Sequence, residues 1–237
     1  MKQALRSNCF PLVLAGDHST SAGTVAGIRM AYSSSRHKIG IIWIDAHADL
    51  HSPYTTPSGN MHGMGMAASL GEDNYANRMN KPDKPTLELW NRLKKTGNIC
   101  PKVTYRDIVF ISVRDVESEE TFLLKKNKVR MFSTAEVKRN GVERIARDAL
   151  FHLNHCTHIY VSFDVDSMDS SISKGTGTPV RNGLTEKEAG SLLVRLVQNE
   201  KVCCFEIAEV NPTLDRENLM AENTFEILNK VVSQLAY

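Results

Sequence analysis

The sequence predicts an α/β protein with a mainly parallel sheet. Three observations carry that expectation. Five short apolar runs recur along the 237 residues. Each run is near-continuous rather than alternating, as in strands covered on both faces. Segments of helical spacing lie between several of the runs, the strand–helix–strand rhythm of parallel sheets.

The elements follow in order. PLVLAGD (Pro11–Asp17) reads as the first strand, and Ser19 stands where it would cap a helix over SAGTVAGIRMAY (21–32). HKIGIIWIDAH (His37–His47) is the second strand. The stretch Gly71–Val103 is polar, carries Pro82, Pro85 and Pro101, and holds one short helix around LELWNRLKK (87–95). An excursion of that length usually serves or borders a function. DIVFISVRD (Asp107–Asp115) is the third strand, and GVERIARDALFHLNH (141–155) spaces its apolar residues as a helix does. HIYVSFDVD (His158–Asp166) is the fourth strand. TEKEAGSLLVRLVQ (185–198) opens on Thr185 with Glu188 three residues on, a capping box. VCCFEIAEV (Val202–Val210) is the fifth strand, and AENTFEILNKVVSQLA (221–236) is a closing amphipathic helix. No repeat or low-complexity tract divides the chain, so residues 1–237 read as one domain.

Composition excludes several classes. The apolar fraction is 41% and the charged fraction 24%, ordinary for a globular protein. No run approaches the ~18 apolar residues of a membrane span, and the opening MKQALRSNCFPLVLAGDHS lacks the cleavage site of a signal peptide. Net charge is +2, with scattered Lys and Arg and no interleaved aromatic platform, so nucleic acid is not an expected partner. The five cysteines form no C-x-x-C, which points to reduced thiols and a cytoplasmic location.

The strand ends are unusual. The first ends in GDHS, with Asp17 and His18; the second in DAHAD, with Asp45, His47 and Asp49, and then His51; the fourth in SFDVDSMD, with Asp164 and Asp166; the fifth in EVNP, with Glu209. In parallel α/β sheets these C-terminal ends line the ligand crevice. Burying one unpartnered charge costs several kcal/mol, and adjacent carboxylates push one another to protonate. A cluster of aspartates at one place therefore needs a cation. A lone D-x-H is more often a loop end, and GDHS alone fits a helix N-cap, but all these ends together, each after an apolar run, are not explained that way. Four carboxylates and two imidazoles suit Mn²⁺ or a similar divalent ion better than structural Zn²⁺. Six ligands exceed what one catalytic metal with an open position needs; they fit two bridged metals, the arrangement used in hydrolysis.

GDHS, DAHAD, SFDVDSMDSS, GTGTPVRNGLT and EVNP, in that order, resemble the ureohydrolases, the family of arginase, agmatinase and formimidoylglutamase. The resemblance runs from about Leu12 to the C-terminus. It implies a three-layer α/β/α arginase-like fold and two Mn²⁺ per chain, bound by His18, Asp45, His47, Asp49, Asp164 and Asp166, with Asp45 and Asp164 bridging. It implies hydrolysis of a small guanidino or formimino substrate, and a homo-oligomer, a trimer or hexamer.

Within the family the chain is most similar to arginase. TTPSGNMHG (Thr55–Gly63) resembles the arginase substrate loop, so Thr56, Ser58 and Asn60 are expected near the amino-acid end of L-arginine, with Ser58 and Asn60 on the α-carboxylate. His62 is then the proton-shuttling histidine. VRDVESEE (Val113–Glu120) resembles the segment holding the α-amino group, with Glu117 where aspartate is common and Glu120 matching the family acid. His51 stands where many arginases carry asparagine. Thr178 and Glu209 match the guanidinium pocket, with Glu209 pairing the cation. Catalysis is expected from His62, Asp166 and Glu209, yielding ornithine and urea. The resemblance also implies a further N-terminal strand–helix unit ahead of GDHS, and Ala15 replaces a family glycine. The alternatives are agmatinase or formimidoylglutamase activity, or a shortened remnant without turnover.

Overall fold

The structure is a computed structural model that describes residues 1–172 and 174–235. Six strands form one sheet: β1 (Leu12–Leu14), β2 (Ile39–Ile44), β3 (Ile108–Ile111), β4 (Arg130–Phe132), β5 (His158–Asp164) and β6 (Val202–Ala208). Their spatial order is β1-β6-β5-β2-β3-β4, and every neighbouring pair is parallel. Among the described residues the helices are α1 (Lys2–Arg6), α2 (Ser21–Ala31), α3 (Gly65–Leu70), α4 (Lys84–Lys94), α5 (Ser118–Lys126), α6 (Thr134–Asn140), α7 (Val142–His152), α8 (Glu186–Val197) and α9 (Leu219–Leu235).

Strand alternation sorts the core into two layers. Ile42, Ile44, Val109, Ile111, Val161, Phe163 and Phe205 pack with Ala149 of α7, Leu193 of α8 and Ile227 of α9. Ile41, Trp43, Phe110, Tyr160 and Cys204 face the other way, with Val25 and Ile28 of α2 and Leu123 of α5. Both faces are covered, which is why β2, β3 and β6 are buried throughout. The predicted three-layer α/β/α architecture is present.

The topology also places the crevice. From β2 the chain steps outward to β3 and β4; from β5 it steps the other way to β6. The order reverses between β2 and β5, and the space beyond their C-terminal ends is a topological switch point. Asp45 follows β2 there and Asp164 ends β5.

Several elements differ from the sequence reading. The first strand is three residues long, although Ala15 N–H still donates to Ile207 and Glu209 N–H to Gly16. Ser19 does not cap α2. Asp17 instead caps a short 3₁₀ turn at His18–Thr20, its Oδ1 accepting from Ser19 N–H at 2.8 Å, and α2 begins at Ser21. β4 escapes a pattern reading because it is three residues long with only Phe132 buried. The polar excursion holds α4, capped by Asp83 on Thr86 N–H at 2.9 Å. It also buttresses the loop ahead of it: Met79 N–H donates to Tyr54 O at 2.8 Å and Asn80 Nδ2 to Thr56 O at 2.7 Å. The capping box of α8 forms as predicted, with Glu188 N–H on Thr185 Oγ1 at 3.1 Å and Thr185 N–H on Glu188 at 2.8 Å. Ala236, the last residue of the predicted closing helix, lies outside the described residues.

Candidate metal centre and active site

His18 reaches the crevice because Asp17 turns the chain at the end of β1. Its backbone N–H donates to Glu209 Oε1 at 2.8 Å, and its ring stacks on Trp43 with centroids 3.9 Å apart and planes 5° apart. Nε2 lies 2.8 Å from Ser162 Oγ. Nδ1 therefore points at the carboxylates: 3.0 Å from Asp45 Oδ2, 3.0 Å from Asp164 Oδ2 and 3.3 Å from Asp49 Oδ2. None of these contacts has hydrogen-bond geometry for His18 Nδ1, Asp45 Oδ2 or Asp49 Oδ2, and all three atoms are buried without a partner. Asp49 is held there in a left-handed backbone conformation, φ +53°.

A second group shares Asp45. His47 Nδ1 lies 3.0 Å from Asp166 Oδ2 and 3.4 Å from Asp45 Oδ1. Asp45, His47 and Asp166 form one compact set of ligand atoms, and His18, Asp45 and Asp164 another. Asp45 is common to both. Asp164 turns Oδ2 to the His18 group while its Oδ1 accepts from Asp166 N–H at 2.8 Å.

The electrostatics are those of a site built around missing positive charge. Burial pushes the carboxyls of Asp49, Asp164 and Asp166 up, and neighbouring aspartates push further, Asp45 in all three cases. Burial pulls His47 down, but contacts with Asp166 and Asp45 outweigh it and raise the ring to about 12. His18 is raised well above its ordinary value for the same reason, by Asp164 and Asp45 against burial. The surrounding acids thus hold both imidazoles above their ordinary range. The unpartnered, converging nitrogen and oxygens fit divalent metal, and the N/O donor set matches ions of the Mn²⁺ type.

A pocket of about 360 Å³ opens over this floor, lined in part by His47, Asp49, His51, Asn60, His62 and Thr178. Ser58 and Thr56 join its wall. Gly59, φ +79°, turns the loop; its N–H is taken by Thr56 Oγ1 at 3.0 Å, and Asn60 N–H by Ser58 Oγ at 3.2 Å. Opposite, His51 Nε2 lies 3.1 Å from Glu117 Oε2 and 3.7 Å from Glu120 Oε2. Glu120 is buried beneath, and burial together with Glu117 pushes its carboxyl up to about 8. Glu117 and Glu120 also form the capping box of α5, so one pair serves helix and pocket. Thr178 Oγ1 donates to Asp166 Oδ2 at 3.0 Å. Glu209 adopts φ +67°, which bends its side chain back over the end of β6; burial raises its carboxyl, with the His18 N–H opposing. All fifteen residues expected in the site therefore lie at the C-terminal end of the sheet.

Sequence reading missed the residues that hold this set in place. Arg114 donates to the carbonyls of Ser112, Asp166 and Val180 at 3.0, 2.9 and 3.0 Å, and its Nε to Arg181 O at 2.9 Å. It pins the segment after β3 to those after β5 and before α8. Asp115 lies 3.7 Å from the outer nitrogen of His47. Ser162 and Trp43 support His18 from below. The only sequence signal was an arginine and a serine inside strands that otherwise read as apolar.

Comparison with known proteins agrees with this geometry. Residues 1–236 match the Arginase family. The chain is 36% identical to an arginase of Brevibacillus brevis over 94% of its own length and 68% of that protein's. It is 33% identical to an arginase of Bacillus caldovelox, over 98% of this chain and 71% of the relative. The solved native structure of the Bacillus caldovelox arginase superposes with a TM-score of 0.83 at 32% identity, covering 97% of this chain and 71% of the other. A family match over nearly the whole length, joined to a shared fold at this identity, settles descent: the chain belongs to the arginase family, hydrolases of guanidino carbon–nitrogen bonds.

Proposed function

We propose that this chain hydrolyses L-arginine to L-ornithine and urea, with two Mn²⁺ held by His18, Asp45, His47, Asp49, Asp164 and Asp166. The observation that carries the reading is the convergence of three buried, unpartnered ligand atoms, His18 Nδ1, Asp45 Oδ2 and Asp49 Oδ2, on one point below the pocket. When bound, such ions supply a water acidified to near-neutral pKa, the nucleophile of a hydrolase.

The chain's own groups do the rest. Glu209 holds the guanidinium by a charge-assisted contact through Oε2, since Oε1 is engaged by the His18 N–H. Thr178 orients Asp166 from the opposite wall. His62 and Asp166 move a proton to the leaving amine as the carbon–nitrogen bond breaks. Thr56, Ser58 and Asn60 read the α-carboxylate end, and His51, Glu117 and Glu120 the α-amino end. A single domain carries this site. The reading includes a reduced, cytoplasmic setting, in keeping with five free thiols, and a homo-oligomer. Among the described residues no helix is long and apolar enough to cross a membrane.

The test is urea release by the purified chain. Chelation is expected to abolish it and Mn²⁺ to restore it, with two equivalents bound per chain. L-Arginine is expected to outpace agmatine, because agmatine leaves the carboxylate-reading donors unpaired at roughly 1–3 kcal/mol for each buried group. Equal rates on both would overturn arginine specificity and leave a broader ureohydrolase. Turnover of formiminoglutamate alone would reassign the substrate, and metal binding without any turnover would leave a remnant.

A further inference from the structure

Beneath the metal ligands lies a row of side chains that the proposed reaction does not use. Across the sheet, Val13 pairs with Glu206, Glu206 with Ser162, and Ser162 with Trp43. Two residues on, Asp164 pairs with Ala208, and Asp45 follows Trp43 at the same spacing. Alternation puts Trp43, Ser162 and Glu206 on the face that carries Asp45 and Asp164, one layer down. His18 rests on this lower layer through its Trp43 stack and its Ser162 contact.

Glu206 is the anomaly in the row. It is fully buried in the middle of a strand of apolar residues and cysteines. Its Oε2 accepts from Thr24 Oγ1 at 2.6 Å, while its Oε1 makes no hydrogen bond; burial raises its carboxyl, against Thr24 and the nearby Tyr160 hydroxyl. Among the described residues it supplies the one unpartnered buried carboxyl oxygen outside the metal ligands. Its neighbour Ser162 has the complementary need. Ser162 Oγ accepts from the Tyr160 hydroxyl at 3.1 Å and meets His18 Nε2 at 2.8 Å. For His18 to ligate through Nδ1, its proton must sit on Nε2 and be donated to Ser162. Ser162 then accepts twice, and its own hydrogen needs an acceptor. Glu206 is the register partner of Ser162 on the adjoining strand, about 4.8 Å away; the two are not hydrogen-bonded here, and a turn of the Ser162 hydroxyl toward the free oxygen of Glu206 would supply that acceptor. Without that acceptor Ser162 donates to Nε2 instead, and the His18 proton moves to Nδ1, where it blocks the metal.

We infer that Glu206 is a positioning residue: acting through Ser162, its free oxygen selects the metal-binding tautomer of His18. The inference rests on the metal-centre reading above and adds a residue that contacts neither metal nor substrate.

The experiment isolates each half of the centre. In a His47→Asn background only the His18 group is complete, and in a His18→Asn background only the His47 group. Mn²⁺ affinity is measured by titration calorimetry in both. Glu206→Ala is expected to weaken binding roughly 10–100-fold in the first, the usual effect of an outer-sphere partner, and to change it less than about threefold in the second. Glu206→Gln, which keeps an acceptor oxygen, is expected to restore most of the loss. Glu206→Ala combined with Ser162→Ala is expected to cost no more than Ser162→Ala alone, because the two act in series. Equal losses in both backgrounds, or no loss in the first, or additive losses in the double variant, would overturn the inference while the metal centre stands. A chain that binds no Mn²⁺ overturns the metal-centre reading and this inference together. Circular dichroism on each variant identifies a loss due to unfolding; in that event Glu206→Gln, measured alone in the two backgrounds, decides.

Discussion

Asp45 presents one oxygen to each half of the cluster, 3.0 Å from His18 and 3.4 Å from His47. Asp49 faces only the His18 side, at 3.3 Å. The two carboxylates therefore predict different variants. Asp45→Asn is expected to weaken the binding of both Mn²⁺ ions, and Asp49→Asn chiefly one, by at least an order of magnitude in each case; stepwise metal titration reads the difference. Around the substrate the same logic separates affinity from selectivity. Glu209→Ala is expected to depress arginine and agmatine turnover alike, since both carry the guanidinium. Asn60→Ala is expected to narrow the gap between them by about tenfold, equivalent to ~1.4 kcal/mol of lost discrimination. Comparing kcat/KM for the two substrates decides whether the loop reads the carboxylate.

Single caps fix where elements begin. Thr185→Ala removes the acceptor for Glu188 N–H at the start of α8 and is expected to cost about 1 kcal/mol, read as a lower urea midpoint at unchanged slope. At the other end of the sheet, Asp107 closes the turn that launches β3. It accepts from Thr104 N–H at 2.9 Å and lies 2.9 Å from His155 Nε2. Burial raises its carboxyl, but the bonds from Thr104 and the contact with His155 outweigh burial and hold it below the usual range. A carboxyl depressed in the folded state stabilises above its unfolded pKa of ~3.9 and loses that contribution as pH falls through its folded value. Asp107→Ala is therefore expected to lower stability at neutral pH and to make it less sensitive to acid below about pH 4. A loss that persists undiminished at the lowest pH would show that the residue acts by packing instead.

At the scale of the whole molecule, close backbone approaches hold the strand-end loops together. Gly65, at the start of α3, has no room for a side chain: an added Cβ would sit 2.5 Å from Ser21 Oγ and 3.0 Å from His18 O. Gly65→Ala is expected to displace the His18 turn and cost about 1–3 kcal/mol, with a matching loss of Mn²⁺ binding. Arg114 ties three loops by donating to their carbonyls, and Arg114→Ala is expected to destabilise by a similar ~1–3 kcal/mol per unsatisfied buried group. Thermal melts with and without Mn²⁺ check both, since a displaced site is stabilised less by metal.

The near-continuous apolar runs of β2, β3, β5 and β6 were legible because burial on both faces leaves few positions for polar residues, so composition alone marks the strand. The six proposed ligand residues were legible because a cluster of acids and imidazoles at strand ends has few uses other than holding a cation. β4 was not, since three residues with one buried carry no period. Nor was the shared role of Glu117 and Glu120: a charge pair in sequence says nothing of the helix it caps or the histidine it meets. Ser162, Trp43 and Glu206 needed the fold, because their meaning lies in register across strands that are up to 163 residues apart, Trp43 to Glu206, and Arg114 needed it because the carbonyls it binds lie on loops distant in sequence. Sequence by itself determined which residues are candidates to hold a cation and what chemistry they favour, since those follow from charge and hydration. Only the tertiary structure decided which oxygen faces which nitrogen and what holds them there, because such distances are set by packing between segments that local pattern does not connect.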